Sequence, residues 1–350
     1  MLHSIQAYRG IAVLLVVLYH GALRVEKANG MAPFLDVFSV GFSGVHLFFV
    51  LSGFIILTAH IRDVGVPSRL FWYLKRRLIR IYPIYWIIFF VLGGWKLISV
   101  KPDVEEFALN AFLFSAKTGL VIPVSWTLLY EIIFYAVFAV LVLSKRIGIA
   151  AIAIWFALII ASWGSASHHL LHPFNLLFIF GLVASALYFR LREVSATARE
   201  GIAATSFGLG ALLFVGTAAF YATLDVGEAE WPAHPVTILG FGSATALLVL
   251  GSASSRIESF FEKRHLLGLL GNASYSIYLV HLWGEKTAFK LIKAIYPPLA
   301  DGTGDAQIVA DMLLIYIAIM AVLAGIAVHL KVERPLLALL REKMGAGGRE

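Results

Sequence analysis

The chain has 350 residues, 60% of them hydrophobic and 14% charged, with 26 Phe, 8 Trp and a mean hydropathy of +0.86, a balance that excludes a soluble globular protein and marks a polytopic membrane protein. The net charge of +7 does not indicate nucleic acid as a partner, because the basic residues sit in short blocks between apolar spans. Cysteine is absent, which excludes disulfides, thiolate metal sites, S-acylation and an acyl-cysteine intermediate.

Apolar runs of about 20 residues between polar punctuation predict an all-α protein with about ten transmembrane helices. They lie near 5–24, 38–60, 81–100, 123–143, 147–165, 173–190, 201–221, 235–252, 266–284 and 311–331. The first contains "YRGIAVLLVVLYHGALR", with Arg9 at one end and His20 near the other. Eleven residues separate them, roughly 20° past three helical turns and about 16 Å of rise, so the two share one face. Val13 and Val16 fill the rungs between, and Arg24 continues the stripe. Such a stripe must face something other than lipid, although Arg9 alone would also serve as an anchor at the inner interface. The run lacks a small-residue cleavage site and carries His20 and Arg24 where a signal peptide would end, so it is expected to be retained.

In the second span, "GFSGVHLFFVLSGFIIL", His46 is a candidate pocket residue, while Ser52 and Gly53 read as helix packing. The basic loop "YLKRRLIRIYPIYW" brings Arg77 and Arg80 to one side of a helix start, where two guanidinium forks can hold phosphates bidentately. The same loop also serves as a topology signal, with Pro83 and the aromatics Tyr82, Tyr85 and Trp86 fixing where the helix begins. In the fourth span, "SWTLLYEIIFY", Glu131 lies about two turns below the outer end and His20 about one turn below its own. A His20–Glu131 hydrogen bond is therefore expected, the carboxylate orienting the imidazole as a base. Alternatively Glu131 pairs with a lysine or arginine simply to be tolerated.

His168 and His172 have metal-ligand spacing without a further ligand, so no metal site is expected. His281 in "GNASYSIYLVHLW" reads as a satisfied helix histidine, and Glu333 in "VERPL" as an inner-interface acid that pairs with Arg334 or a neighbouring basic loop. There is no GxxxxGK, HExxH or GxSxG, which argues against ATP-driven transport, zinc hydrolysis and a serine hydrolase. Placing both termini in the cytoplasm puts Arg62, Arg69, Lys75, Arg76, Arg77, Arg80, Lys145, Arg146, Arg190, Arg192, Arg199, Arg256, Lys263 and Arg264 inside. Only Arg24, Lys27, Lys96, Lys101, Lys117, Lys286, Lys290 and Lys293 then lie outside, so this orientation obeys the positive-inside rule. The acidic "LDVGEAEWP" and the His-rich "SHHLLHP" fall outside with them. No internal repeat or long hydrophilic segment interrupts residues 1–350, and the tail "REKMGAGGRE" is short, so one membrane domain without a fused soluble domain is expected.

Taken together, "YRGIAVLLVVLYH", "GVHLFFVLSGFIIL", "RRLIRIYPIYW", "SWTLLYEIIFY", "LLGNASYSIYLVHLW" and "VERPL" resemble the integral-membrane acyltransferase 3 family, in the family's order from residue 9 to residue 335. The resemblance implies an O-acyltransferase of a cell membrane, in bacteria the inner one. It implies transfer of an acyl group, commonly acetyl, from cytoplasmic acyl-CoA as co-substrate, with no bound cofactor, to a hydroxyl of a glycan or lipid-linked sugar. By motif match His20 is the catalytic histidine, Arg9 its paired arginine, and Arg77 with Arg80 the arginine pair that meets the donor. Glu131 matches the family's glutamate after Trp126, and Glu333 its glutamate before Pro335. The chain departs from the family where His46 replaces a frequent Asp in "GVDLFFV". The combined reading docks CoA phosphates at Arg77 and Arg80 and threads the pantetheine past Arg9 to His20, with the stripe lining the passage. A glycolipid carrier or flippase is the rival reading; it calls for inverted repeats and broken helices in both halves, and the sequence displays neither.

Overall fold

The computed structural model describes residues 2–99, 104–114, 120–163, 168–224, 233–300 and 306–345. Lys101, Lys117, residues 225–232 of the acidic stretch, Ser167 and the last five tail residues lie outside them. All regular structure among the described residues is helical. In chain order the helices are α1 (His3–Asn29), α2 (Ser43–His60), α3 (Leu70–Ser99), α4 (Val104–Ala111), α5 (Trp126–Leu143), α6 (Lys145–Ala161) and α7 (Asn175–Leu191), then α8 (Ala196–Tyr221), α9 (Pro235–Gly251), α10 (Ser255–Glu262), α11 (His265–Ile295), α12 (Pro297–Ala300), α13 (Ala306–Val328) and α14 (Arg334–Gly345). Each of the ten ranges read from the sequence falls on a helix. Among the described residues, five segments can cross a bilayer by length and apolarity: Pro33–His60, Pro67–Gly94, Pro123–Leu143, Ala196–Tyr221 and Ala306–Lys343. The pair α9 and α10, bent by 93°, adds a sixth if it is one span. The expected ten spans therefore do not all meet that test, and α1 and α11, which do not, turn polar side chains toward each other.

Two boundaries differ from expectation in ways that shape the interior. The basic block before Pro83 is no loop: α3 starts at Leu70 and runs through the proline, since Leu, Lys and Arg are good helix formers. Tyr275 of α11 donates to the Ile81 carbonyl (2.9 Å) beside the proline turn. The second difference lies ahead of α5. Asn110, Leu113, Ile122, Val124 and Ser125 are buried. Tyr85 donates to the Asn110 carbonyl (2.7 Å) and the Val121 amide to Asn110 Oδ1 (2.9 Å). The described residues ahead of α5 thus pack into the body against α3.

The bundle is organised around α1, α2, α11 and α13, with α7 and α9 behind α2 and with α3 and α5 flanking the remaining side. Glycines allow the closest crossings, Gly271 between α11 and α1 and the facing pair Gly53 and Gly181 between α2 and α7. A Cβ on Gly271 of α11 would lie 2.0 Å from the Gln6 carbonyl of α1, and one on Gly53 of α2 would lie 2.2 Å from the Phe178 carbonyl of α7. The first crossing sets Arg9 against α11. At its far end α1 stops at Gly30, whose positive φ of 71° lets its amide bond the Glu26 carbonyl (2.7 Å).

Candidate active site

Between α1, α2, α3, α5, α11 and the chain after α13 lies a cavity of about 760 Å³. Its lining along α2 extends from Ala59 to Val45, about 21 Å at helical rise. Arg9, Arg77, Arg80, Arg334 and Arg341 line it, against two acids, Glu131 and Glu333. Five guanidinium groups facing two carboxylates leave the lining with an excess of positive charge.

The sequence-predicted arginines are held in different ways. Arg9 donates to Ser274 Oγ (2.9 Å) and Gln6 Oε1 (3.2 Å), and no described carboxylate pairs with it. Arg80 pairs with Glu333 (3.0 Å), a fully buried acid that also accepts from Ser276 Oγ (2.7 Å) and His329 Nδ1 (2.8 Å). A π-helical turn, His329–Glu333, brings His329 and Glu333 together; Pro335 has no amide hydrogen for the carbonyl one turn back, and the wider turn closes instead from the Arg334 amide to the His329 carbonyl. Glu333 therefore pairs with the basic block on α3, one of its two expected partners.

Arg77 reaches His60 Nε2 (2.5 Å), and His60 Nδ1 lies 2.7 Å from Asp63 Oδ2. A guanidinium only donates, so Nε2 accepts and Nδ1 carries the proton to Asp63. The imidazole is thus assigned as neutral, buried, and clamped between an acid and the arginine it aims.

Glu131 lines the cavity but does not meet His20. Its Oε1 accepts from Ser52 Oγ (3.2 Å) and from the Tyr135 hydroxyl. The expected His20–Glu131 pair is absent because Glu131 is level with Ser52 in the middle of α2, whereas the His20 end of α1 packs near the start of α2, where Gly41 meets Leu15 and Tyr19. Ser52, read as packing, is a cavity residue.

His20 pairs instead with His281 of α11, at 3.3 Å between His20 Nδ1 and His281 Nε2. His281 Nδ1 faces the Tyr278 carbonyl (2.7 Å) and so carries its proton. His281 Nε2 is then an acceptor, and the His20 Nδ1 proton is shared between it and the Val16 carbonyl (2.9 Å). This assignment leaves His20 Nε2 with a free lone pair, the state a general base requires. One turn further out, Arg24 and the fully buried Glu285 form a second rung between the same two helices (3.6 Å).

The pair stands just beyond the blind end of the cavity. Tyr278 lines that end, with its hydroxyl donating to the Val124 carbonyl (3.1 Å) and accepting from Thr127 (3.0 Å). His281 follows Tyr278 by one turn. The stripe of α1 is therefore a passage lining only at Gln6 and Arg9, while Val13 and Val16 are packed in the core. His46 and Trp126 stand apart from the cavity. His46 is enclosed by Phe42, Phe174 and Phe241, with ring centroids 5.5–5.8 Å away, and Trp126 packs on Phe174 and Tyr130. Sequence reasoning passed over His60, Asp63, Glu285, Tyr278 and Arg341. Only Glu285 left a signal, its i,i+4 spacing from His281 matching that of His20 and Arg24.

A family model described as an acyltransferase domain, that of the acyltransferase 3 family, matches residues 2–330. Among curated proteins, the exopolysaccharide production protein ExoZ of Rhizobium meliloti (strain 1021) is 29% identical over 328 residues, covering 89% of this chain and 94% of the relative. No solved structure matches.

Proposed function

Given that the chain belongs to the acyltransferase 3 family, and is therefore a membrane acyltransferase moving groups other than amino-acyl groups, we propose that it carries acetyl from cytoplasmic acetyl-CoA to a hydroxyl of an exopolysaccharide or its lipid-linked precursor. The acceptor class is taken from the relative's name, exopolysaccharide production protein. The observation that carries the donor side is the arginine-lined cavity that deepens toward Tyr278 and ends one turn short of the His20–His281 pair.

In this reading the donor's diphosphate lies among Arg77, Arg80 and Arg334, and its pantetheine amides run past Arg9, Ser274 and Ser52. The thioester reaches Tyr278, whose displacement opens the way to His20. His20 Nε2 takes the proton of the acceptor hydroxyl as the oxygen attacks the thioester carbonyl. The C–S bond breaks, and the proton passes from His20 to the departing thiolate, so an ester and free CoA leave a neutral imidazole behind. His281 Nε2 accepts from His20 Nδ1 throughout and supports the transient imidazolium.

Comparing surface polysaccharide from cells with and without the gene by mass spectrometry and NMR tests the reading. Loss of an O-acyl ester with the sugar backbone unchanged is expected; intact esters with less exported polymer would contradict it and favour a carrier.

A further inference from the structure

We propose that α14 completes the donor site with a subsite for the 3′-phosphate end of coenzyme A, an inference that rests on the acyl-CoA reading above. α14 begins at Arg334, past the matched family domain, which ends at residue 330.

At the mouth of the large cavity a second hollow of about 350 Å³ is lined by Arg76, Arg77, Ile79 and Arg80 of α3 and by Leu337 and Arg341 of α14. No carboxylate is among these residues. Arg77, Arg80, Leu337 and Arg341 line both spaces, so the hollow continues the cavity outward. Leu337 is buried and Arg341 follows it by one turn, so an apolar anchor fixes α14 where its arginine faces the arginines of α3. Arg76 and Arg341 have no acid partner among the described residues, and Glu333 occupies only Arg80.

Packing thus gathers four guanidinium groups that repel one another, which a bound polyanion would relieve. Guanidinium forks match phosphate oxygens bidentately. A 3′-phosphate beside a 5′-diphosphate carries about four negative charges at neutral pH, enough to balance such a groove. A lipid phosphate offers the same chemistry from another source. The continuity with the deep cavity favours the donor, because a ligand entering that cavity must leave its charged end in this groove.

The test measures binding of acetyl-CoA and 3′-dephospho-acetyl-CoA to the full-length protein in nanodiscs, one set of phosphatidylcholine alone and one with added phosphatidylglycerol. The parent should prefer acetyl-CoA roughly ten- to a hundredfold at low salt. Arg341→Gln should lose most of that preference while binding the dephospho donor as the parent does, and Arg341→Lys should recover part of it. Equal binding of both donors by the parent, or full preference in Arg341→Gln, would overturn the subsite and leave the donor reading intact. Full preference in Arg341→Gln with loss of bound phosphatidylglycerol would assign the groove to a lipid headgroup instead. If the parent binds neither donor, the acyl-CoA reading fails together with the subsite.

Discussion

His281 Nδ1 is committed to the Tyr278 carbonyl, so its other nitrogen is an acceptor for His20 and for nothing else that the structure places there. His281→Leu should therefore cut kcat by roughly ten- to a hundredfold, the worth of one hydrogen bond to a charged transition-state group, with the KM for acyl-CoA little changed. Glu131→Gln should leave the pH dependence of kcat as in the parent, because Glu131 is held by Ser52 and Tyr135 rather than by the imidazole. A shifted profile in Glu131→Gln would return the acid to the base's side. His60 makes a separate prediction. Its neutral form accepts from Arg77, so imidazolium would present a proton to a guanidinium; besides Asp63, the groups facing it are Arg76, Arg77 and the Tyr73 ring from α3 and the uncharged Phe138 ring from α5. Donor binding should be complete where His60 is neutral and weaken as falling pH protonates it. Measured with 3′-dephospho-acetyl-CoA, whose diphosphate does not titrate near pH ~6 as a terminal phosphate does, the parent should lose affinity as the pH falls. His60→Gln, which keeps an acceptor for Arg77, should show a flatter curve, and an unchanged slope in that variant would remove His60 from the donor site.

Among the helices, the crossing at Gly271 and the turn at Glu333 set the cavity's walls. Gly271→Ala drives a Cβ into the Gln6 carbonyl, and the backbone cannot yield without parting α1 from α11. A loss of about 1–3 kcal/mol is expected, read as a lower melting temperature in detergent, together with lower turnover as the His20–His281 spacing opens. Glu333→Gln takes the charge from an acid shared by Arg80, His329 and Ser276, and should destabilise by about 3–5 kcal/mol and weaken acyl-CoA binding. A variant as stable as the parent would mean that the π-helical turn holds its shape without the ion pair. The apolar runs were legible because bilayer-length hydrophobicity is written locally, and every predicted range holds a helix. Pro83 misled as a helix start, since a proline within an apolar helix can be carried by its neighbours. Glu131 was read as a candidate functional acid, but its partner depended on how residues 104–114 and 120–125 and the start of α5 pack against the body, an outcome that residue counting along α5 does not contain. His60 and Asp63 carried no pattern at all, because their meaning comes from Arg77, 17 residues away for His60 and on another helix.

At the scale of the whole molecule, the helices enclose an arginine-lined cavity that enters beside the start of α1 and reaches Tyr278, with a histidine pair in the next layer. The family assignment and the membrane character follow from the chain as a whole. The course of the cavity from the arginines to Tyr278 follows from how α1, α5 and α11 pack, and in the proposed mechanism Tyr278 is the barrier before His20. The measurement that tests this most directly uses purified parent and His20→Ala proteins with labelled acetyl-CoA and an exopolysaccharide-derived acceptor, following donor binding and acyl transfer in the same samples. The parent should bind and transfer. His20→Ala should bind acetyl-CoA with parental affinity, since His20 lies beyond the cavity, and transfer nothing; measurable transfer by a well-folded His20→Ala protein would contradict the account.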